Sequence, residues 1–219
     1  MLGLSIQQIL YRVIILVIAF SVHEFAHAFV ADRFGDTTPR ANGRLTLNPA
    51  AHIDPIGALV LIFAGFGWAR PVPINPYALR RRSKSAVMWV SLAGPISNIL
   101  LALIGSIVFV LIWNIAGINN FEGAGLGPMF LEFSYFFIIV NLSLAVFNML
   151  PIFPLDGEKV LDYLLPPRGQ DFLASIRPYG SYILLFVVFL LPRLGLNIFG
   201  AVLNPIINIW MGLLTGVLG

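Results

Sequence analysis

A run of mostly apolar residues from Ser5 to Val30 is long enough to cross a lipid bilayer as a helix, and His23, Glu24 and His27 interrupt it near its end. Ionisable groups inside a membrane segment are costly, so they are read first as functional. On a helix, positions i and i+4 lie on one face about one turn apart, and the two imidazoles can grip one metal ion. This is the H-E-x-x-H arrangement, in which the histidines hold zinc and the glutamate serves as general base. At about 100° per residue, Gln8, Arg12, Ala19, His23 and His27 share a stripe that should face protein, with Glu24 at its edge. The helix end lies seven residues beyond His23, which puts the pair about 10 Å below the membrane surface. The competing reading is a histidine pair that only hydrogen-bonds to neighbouring helices.

Such a helix does not stand alone. Of 219 residues, 58% are apolar and 11% charged, the composition of a polytopic membrane protein. The connections are short, so residues 1–219 are expected to form a single integral-membrane domain, with a catalytic core at about 5–160 and C-terminal helices at about 179–218. The first run lacks a basic cluster before it and a small-residue cleavage site after it, so it is expected to be retained. The chain has no cysteine, which excludes disulfides and thiolate ligands. A net charge of +3 is small, and no nucleic-acid partner is expected.

Between the first and second helices, Asp32–Asp54 is polar and turn-rich. Arg44-Leu45-Thr46-Leu47 alternates and predicts a short strand, with Asn42-Gly43 as its hairpin turn. Ala58–Trp68 is apolar but too short to span, and predicts a re-entrant or interfacial segment. Arg70–Pro76, with Pro71, Pro73 and Pro76, predicts an extended strip with backbone groups partly unpaired. A second helix is expected from about Ser85 to Ala116, with Ser91, Gly94, Asn98, Ala102 and Gly105 as a small-residue stripe for close packing in lipid, and Pro95 as a source of a kink. A third is expected from about Pro128 to Leu150, with Asn141 and Asn148 on one face. Glu158–Pro178 reads as a polar connection, and Tyr179–Leu191 and Leu196–Leu218 as a short fourth and a fifth helix. The fold class is therefore all-α and polytopic, with about five transmembrane helices, a three-helix core and a short β or re-entrant segment.

The basic residues orient this bundle. Arg33, Arg40, Arg44, Arg70, Arg80, Arg81, Arg82 and Lys84 lie between the first two helices, and Lys159, Arg168 and Arg177 follow the third. Residues 117–127 carry no Lys or Arg, and Arg193 lies alone on that side. By the positive-inside rule the first group is cytoplasmic and the N-terminus is outside. That orientation, derived from Lys and Arg alone, brings His23, Glu24 and His27 to the same side as Asp156, just beyond the third helix. Catalytic zinc sites use three protein ligands and keep one position open. His23, His27 and Asp156 would supply them, with Glu158 and Asp162 as competitors farther into the loop. Taken alone, Pro154-Leu155-Asp156-Gly157 reads as an ordinary turn.

The pattern resembles the site-2 protease family of intramembrane zinc metalloproteases. The resemblance rests on His23-Glu24-x-x-His27, on Asn148-x-x-Pro151-x-x-Pro154-Leu155-Asp156-Gly157, on Asn48-Pro49-x-x-His52-Ile53-Asp54-Pro55-x-Gly57 and on Gly94-Pro95-x-x-Asn98. Together these cover about residues 20–160. The family often has a small residue where this chain has Glu158, and this chain has no room for the PDZ domain that many relatives insert. The resemblance implies one Zn2+ per chain, a transmembrane protein or peptide as substrate, the lipid bilayer as partner, and a multi-pass location in the cell membrane with the active site toward the cytoplasm. It also offers Asn98 and Asn148 as oxyanion or substrate-binding candidates. His52 is a further oxyanion candidate on its chemistry, or else pairs with Asp54 to hold its loop. The alternatives are a metal transporter or channel, against which the one-sided clustering of ligands and the lack of an inverted repeat speak, and an inactive scaffold of the same fold.

Overall fold

The computed structural model describes residues 5–57, 68–115 and 125–218. Helix α1 spans Ile6–Arg33. Ser5 opens it with a capping box: its Oγ accepts the Gln8 N–H at 3.1 Å while the Gln8 side chain accepts the Ser5 N–H at 3.3 Å, a cap that stabilises a helix start by about 1 kcal/mol. Short helix α2 is Thr38–Ala41 and α3 is Pro76–Arg82. Long helices α4, Ala86–Ile115, and α5, Leu126–Asn148, follow. Then come α6, Asp156–Leu164, α7, Pro167–Ile176, α8, Gly180–Leu185, a π-helical turn at Phe186–Leu190 and α9, Ile198–Leu218. Among the described residues four helical runs are long and apolar enough to cross a membrane: Ile6–Arg33, Ala86–Asn114, Leu126–Asn148 and Pro167–Leu190. This is an all-α polytopic membrane protein.

The core is where α1, α4 and α5 meet. The buried face of α1 runs Tyr11, Ile15, Ala19, His23, His27 and Ala31 in steps of four, so the predicted stripe holds from Ala19 onward and shifts to Tyr11 and Ile15 nearer the start. Tyr11 and Ile15 pack with Phe137 of α5. Ala102 and Phe109 of α4 pack with Leu131, Ile138 and Leu142 of α5 and Leu214 of α9. The small-residue stripe of α4 is buried as expected, and Gly105 lets Phe137 come so close that an added Cβ would sit 2.9 Å from its ring. Ile99, Leu100, Leu103, Ile104 and Ile107, by contrast, face outward, as lipid requires. Far from the histidines, the Gln7 amide donates to Glu132 Oε2 at 3.2 Å and the Tyr11 hydroxyl donates to the Met129 carbonyl at 3.1 Å, which satisfies polar groups at that end of the α1–α5 pair.

Three expectations are corrected. Arg44–Leu47 is not a strand. The Gly43 N–H donates to the Arg40 carbonyl at 3.0 Å and the Arg44 N–H to the Pro39 carbonyl at 2.8 Å; Asn42-Gly43 thus closes α2 instead of turning a hairpin. Among the described residues strand pairing is limited to one isolated bridge, Ile53 with Ala69. Glu158–Pro178, expected as a polar connection, is mostly helical, in α6 to Leu164 and in α7 from Pro167 to Ile176, and the Gln170 amide ties the two helices by donating to the Asp162 carbonyl at 2.7 Å. The fourth run begins at Pro167, not at Tyr179: Pro178 lies within a 3-10 turn, Arg177–Tyr179, that joins α7 to α8, and a proline in a first turn breaks no helical hydrogen bond. The re-entrant segment expected at Ala58–Trp68 lies, except for Trp68, outside the described residues.

Candidate active site

His23 and His27 project from one face of α1 one turn apart, and Asp156, the first residue of α6, comes up to meet them. His23 Nε2 lies 3.2 Å and His27 Nε2 3.1 Å from Asp156 Oδ2, and the two Nε2 atoms lie 3.0 Å apart. All three side chains are buried, and among the described residues this is the His/Asp/Glu group whose donor atoms converge within 4.8 Å. A tetrahedral zinc site, with bonds of about 2.0–2.1 Å, separates its ligand atoms by about 3.3 Å, close to this triangle.

The far side of each imidazole shows what the near side offers. His27 Nδ1 lies 2.6 Å from the Val90 carbonyl, which can only accept, so Nδ1 carries the proton and Nε2 the lone pair. His23 Nδ1 lies 2.7 Å from Asn98 Oδ1 and is placed the same way. Two nitrogen lone pairs and a carboxylate oxygen then face each other at about 3 Å, an arrangement that repels itself unless a cation lies between. The donor set therefore fits a divalent metal. Gly94 of α4 backs the trio so tightly that a Cβ there would collide with both Nε2 atoms.

Glu24 shares the cavity with these ligands. Its Oε2 accepts the Val72 N–H at 2.9 Å. Val72 belongs to the extended strip Ala69–Asn75, which is fastened at several points. The Arg70 N–H donates to the His52 carbonyl at 2.7 Å, the Asn75 N–H to Asp36 Oδ2 at 2.6 Å, and the Arg44 guanidinium to the Arg70 carbonyl. The strip is extended as its prolines predict, but these backbone groups have fixed partners. It forms one wall of a cavity of about 460 Å³. Phe20, Leu144 and Phe147 give that cavity apolar surface, while Arg80, Lys159 and Arg177 lie on its polar side.

The other candidates fall in different places. Asn148, the last residue of α5, lines the cavity, and its amide donates to the Leu144 carbonyl at 3.0 Å. Asn98 is fully buried, with its oxygen on His23 and its amide donating to Asn141 Oδ1 at 3.1 Å. His52 is fully buried and is not among the residues lining the cavity; its Nε2 donates to the Thr46 carbonyl at 2.7 Å. Asp54 does not pair with it, since Asp54 Oδ1 accepts the Gly57 N–H at 2.8 Å. Glu158, buried, pairs with Arg177, whose Nε donates to it at 2.8 Å. Asp162 lies 3.7 Å from Arg177 and 3.8 Å from Arg80. Neither acid reaches the histidines. Reasoning from sequence did not single out Val72, because a valine amide bears no mark of the carboxylate it meets. Lys159, 3.5 Å from Asp156 Oδ1, had a signal in its spacing of three from Asp156 on a helix.

Comparison with known proteins agrees with this geometry. The model of peptidase family M50 matches residues 11–191. "Putative zinc metalloprotease YwhC" of Bacillus subtilis is 41% identical over 194 residues, covering 89% of this chain and 86% of that protein. "Putative zinc metalloprotease Rip2" of Mycolicibacterium smegmatis is 35% identical over 84% of this chain and 70% of its own length, and the protein of the same description from Mycobacterium tuberculosis is 32% identical over 91% and 76%. No solved structure matches significantly.

Proposed function

The chain belongs to peptidase family M50, the site-2 protease family, and from that premise we propose that it is a zinc-dependent endopeptidase that cuts membrane proteins in or near their transmembrane segments. The observation that carries this reading is the convergence of His23 Nε2, His27 Nε2 and Asp156 Oδ2, with Glu24 in the same cavity and on a helix long and apolar enough to cross a membrane. One zinc ion per chain, held by those three atoms, would polarise the scissile carbonyl and favour ionisation of the attacking water.

The chain's own residues supply the rest. Glu24 takes a proton from the water at its carboxylate and later returns it to the leaving nitrogen. The Val72 N–H holds one oxygen of that carboxylate and leaves the other for the proton. Asn98 and Val90 aim the imidazoles. Asn148, at the cavity wall, would hydrogen-bond a substrate backbone. His52 acts at a distance, by holding the loop whose carbonyl anchors Arg70. A substrate helix has its backbone bonds satisfied internally, so it must unwind before attack, and the Ala69–Asn75 strip in the cavity wall is where the unwound segment would lie. The lipid bilayer and a transmembrane substrate are then the partners. The active site faces the cytoplasm, a reading supported by the Lys and Arg distribution and by Arg80, Lys159 and Arg177 at the same cavity.

The test is E24Q in the purified full chain. The variant is expected to keep one zinc per chain and to lose about 10²–10⁴-fold in cleavage of a transmembrane substrate. Wild-type cleavage by E24Q would overturn the assignment. Metal flux without cleavage by the wild-type protein in vesicles would favour a transporter.

A further inference from the structure

Asn141 lies in the middle of α5, fully buried and one residue removed from the metal trio. Its amide nitrogen donates to the Phe137 carbonyl at 2.9 Å. That carbonyl only accepts, so the amide group is fixed with its NH2 toward Phe137 and its Oδ1 toward α4. Oδ1 accepts from Asn98 Nδ2 at 3.1 Å, and Asn98 Nδ2 also points at the Ala19 carbonyl at 3.5 Å. Asn98 is thereby fixed in turn: turning its amide over would set oxygen against oxygen. Its Oδ1 is left facing His23 Nδ1 at 2.7 Å. Each link has a single direction, and the direction is set at Phe137, three hydrogen bonds from the imidazole.

The two ligand histidines therefore reach the same state by different means. His27 has a backbone carbonyl, which cannot turn over. His23 has a side-chain amide, which can present either an acceptor or a donor. With a donor toward it, Nδ1 would hold the lone pair and Nε2 the proton, and Nε2 could not ligate. We propose that Asn141 is a positioning residue of the metal centre: through Asn98 it fixes the tautomer of His23, so that Nε2 presents its lone pair to the ion. This rests on the metal reading above for its purpose, though not for its geometry. An acceptor on the second ring nitrogen also raises a ligand's basicity, and losing such partners costs metal affinity.

The experiment uses the full chain in detergent, labelled with 15N-histidine and freed of metal by chelation, with resonances assigned by replacing each histidine in turn. In the wild-type protein His23 is expected as the Nδ1–H tautomer; finding Nε2–H overturns the proposal without any change at Asn141. In N141L, which keeps most of the volume but neither hydrogen bond, His23 is expected to shift toward Nε2–H, and the zinc Kd to rise by about tenfold, the lower end of the range for such partners. N141D, with its buried carboxyl protonated, can donate to Phe137 and accept from Asn98, and is expected to restore both readouts. An N141L protein with lower zinc affinity but an unchanged His23 tautomer would show a merely structural role and overturn the proposal, as would one unchanged in both. If N141L does not fold, the wild-type spectrum and N141D still decide. A wild-type chain that takes up no zinc would sink the proposed function while leaving the tautomer measurement to judge this proposal by itself.

Discussion

The Val72 N–H donates to Glu24 Oε2 at 2.9 Å, joining the extended strip that walls the cavity to the proposed base on α1. Proline at 72 removes this donor without adding charge. A hydrogen bond to a charged group is worth about 1.5–3 kcal/mol. V72P is therefore expected to lower the cleavage rate by about 10- to 100-fold with zinc content unchanged. Rates equal to wild type in a reconstituted assay would show that the bond does not matter to Glu24.

Gly94 is the second point at which geometry makes a strong demand. Helix propensity alone would favour alanine by about 1 kcal/mol. The added Cβ would collide with Nε2 of both His23 and His27, and overpacking of this kind costs about 1–3 kcal/mol. G94A is expected to lose bound zinc and to unfold at a lower temperature. Zinc content by elemental analysis and a thermal melt check it; a stabilised variant with full zinc would contradict the packing seen here.

Glu158 stands two residues beyond Asp156 on α6. It is buried against Arg177, whose side chain is 41% exposed. Removing the arginine leaves a buried carboxylate without a partner, a loss of about 3–5 kcal/mol for a fully enclosed pair. Solvent around Arg177 reduces this to about 2 kcal/mol. R177A is expected to be destabilised by that amount, and E158A/R177A to recover most of it. Denaturation of the four proteins of the cycle measures the coupling, and additive losses would show that the pair is idle.

Much of the architecture was legible because a bilayer leaves few options. Apolar runs at Ile6–Arg33, Ala86–Asn114 and Leu126–Asn148 have to be helices if their backbone groups are to be satisfied in lipid. The i, i+4 spacing put His23 and His27 on one face before any contact was known. The segments misread are those whose local signal is polar. Asn42-Gly43 serves equally to turn a hairpin or to end a helix, and only the carbonyls of Pro39 and Arg40 decide which. Pro178 reads as a break, yet it sits where a 3-10 turn needs no N–H.

By itself the sequence determined the membrane class, the three-helix frame, the histidine pair on one face of α1 and its place at the same end of the helices as Asp156, since each follows from periodicity, length or charge along one segment. Tertiary structure alone decided that Asp156 Oδ2 comes within about 3 Å of both imidazoles while Glu158 turns away to Arg177, that Val72 meets Glu24, and that Asn141 sets the orientation of Asn98. These are contacts between residues 19 to 133 positions apart. Hydrogen bonds have direction as well as reach, and direction is fixed only when the last carbonyl in the chain of partners is in place.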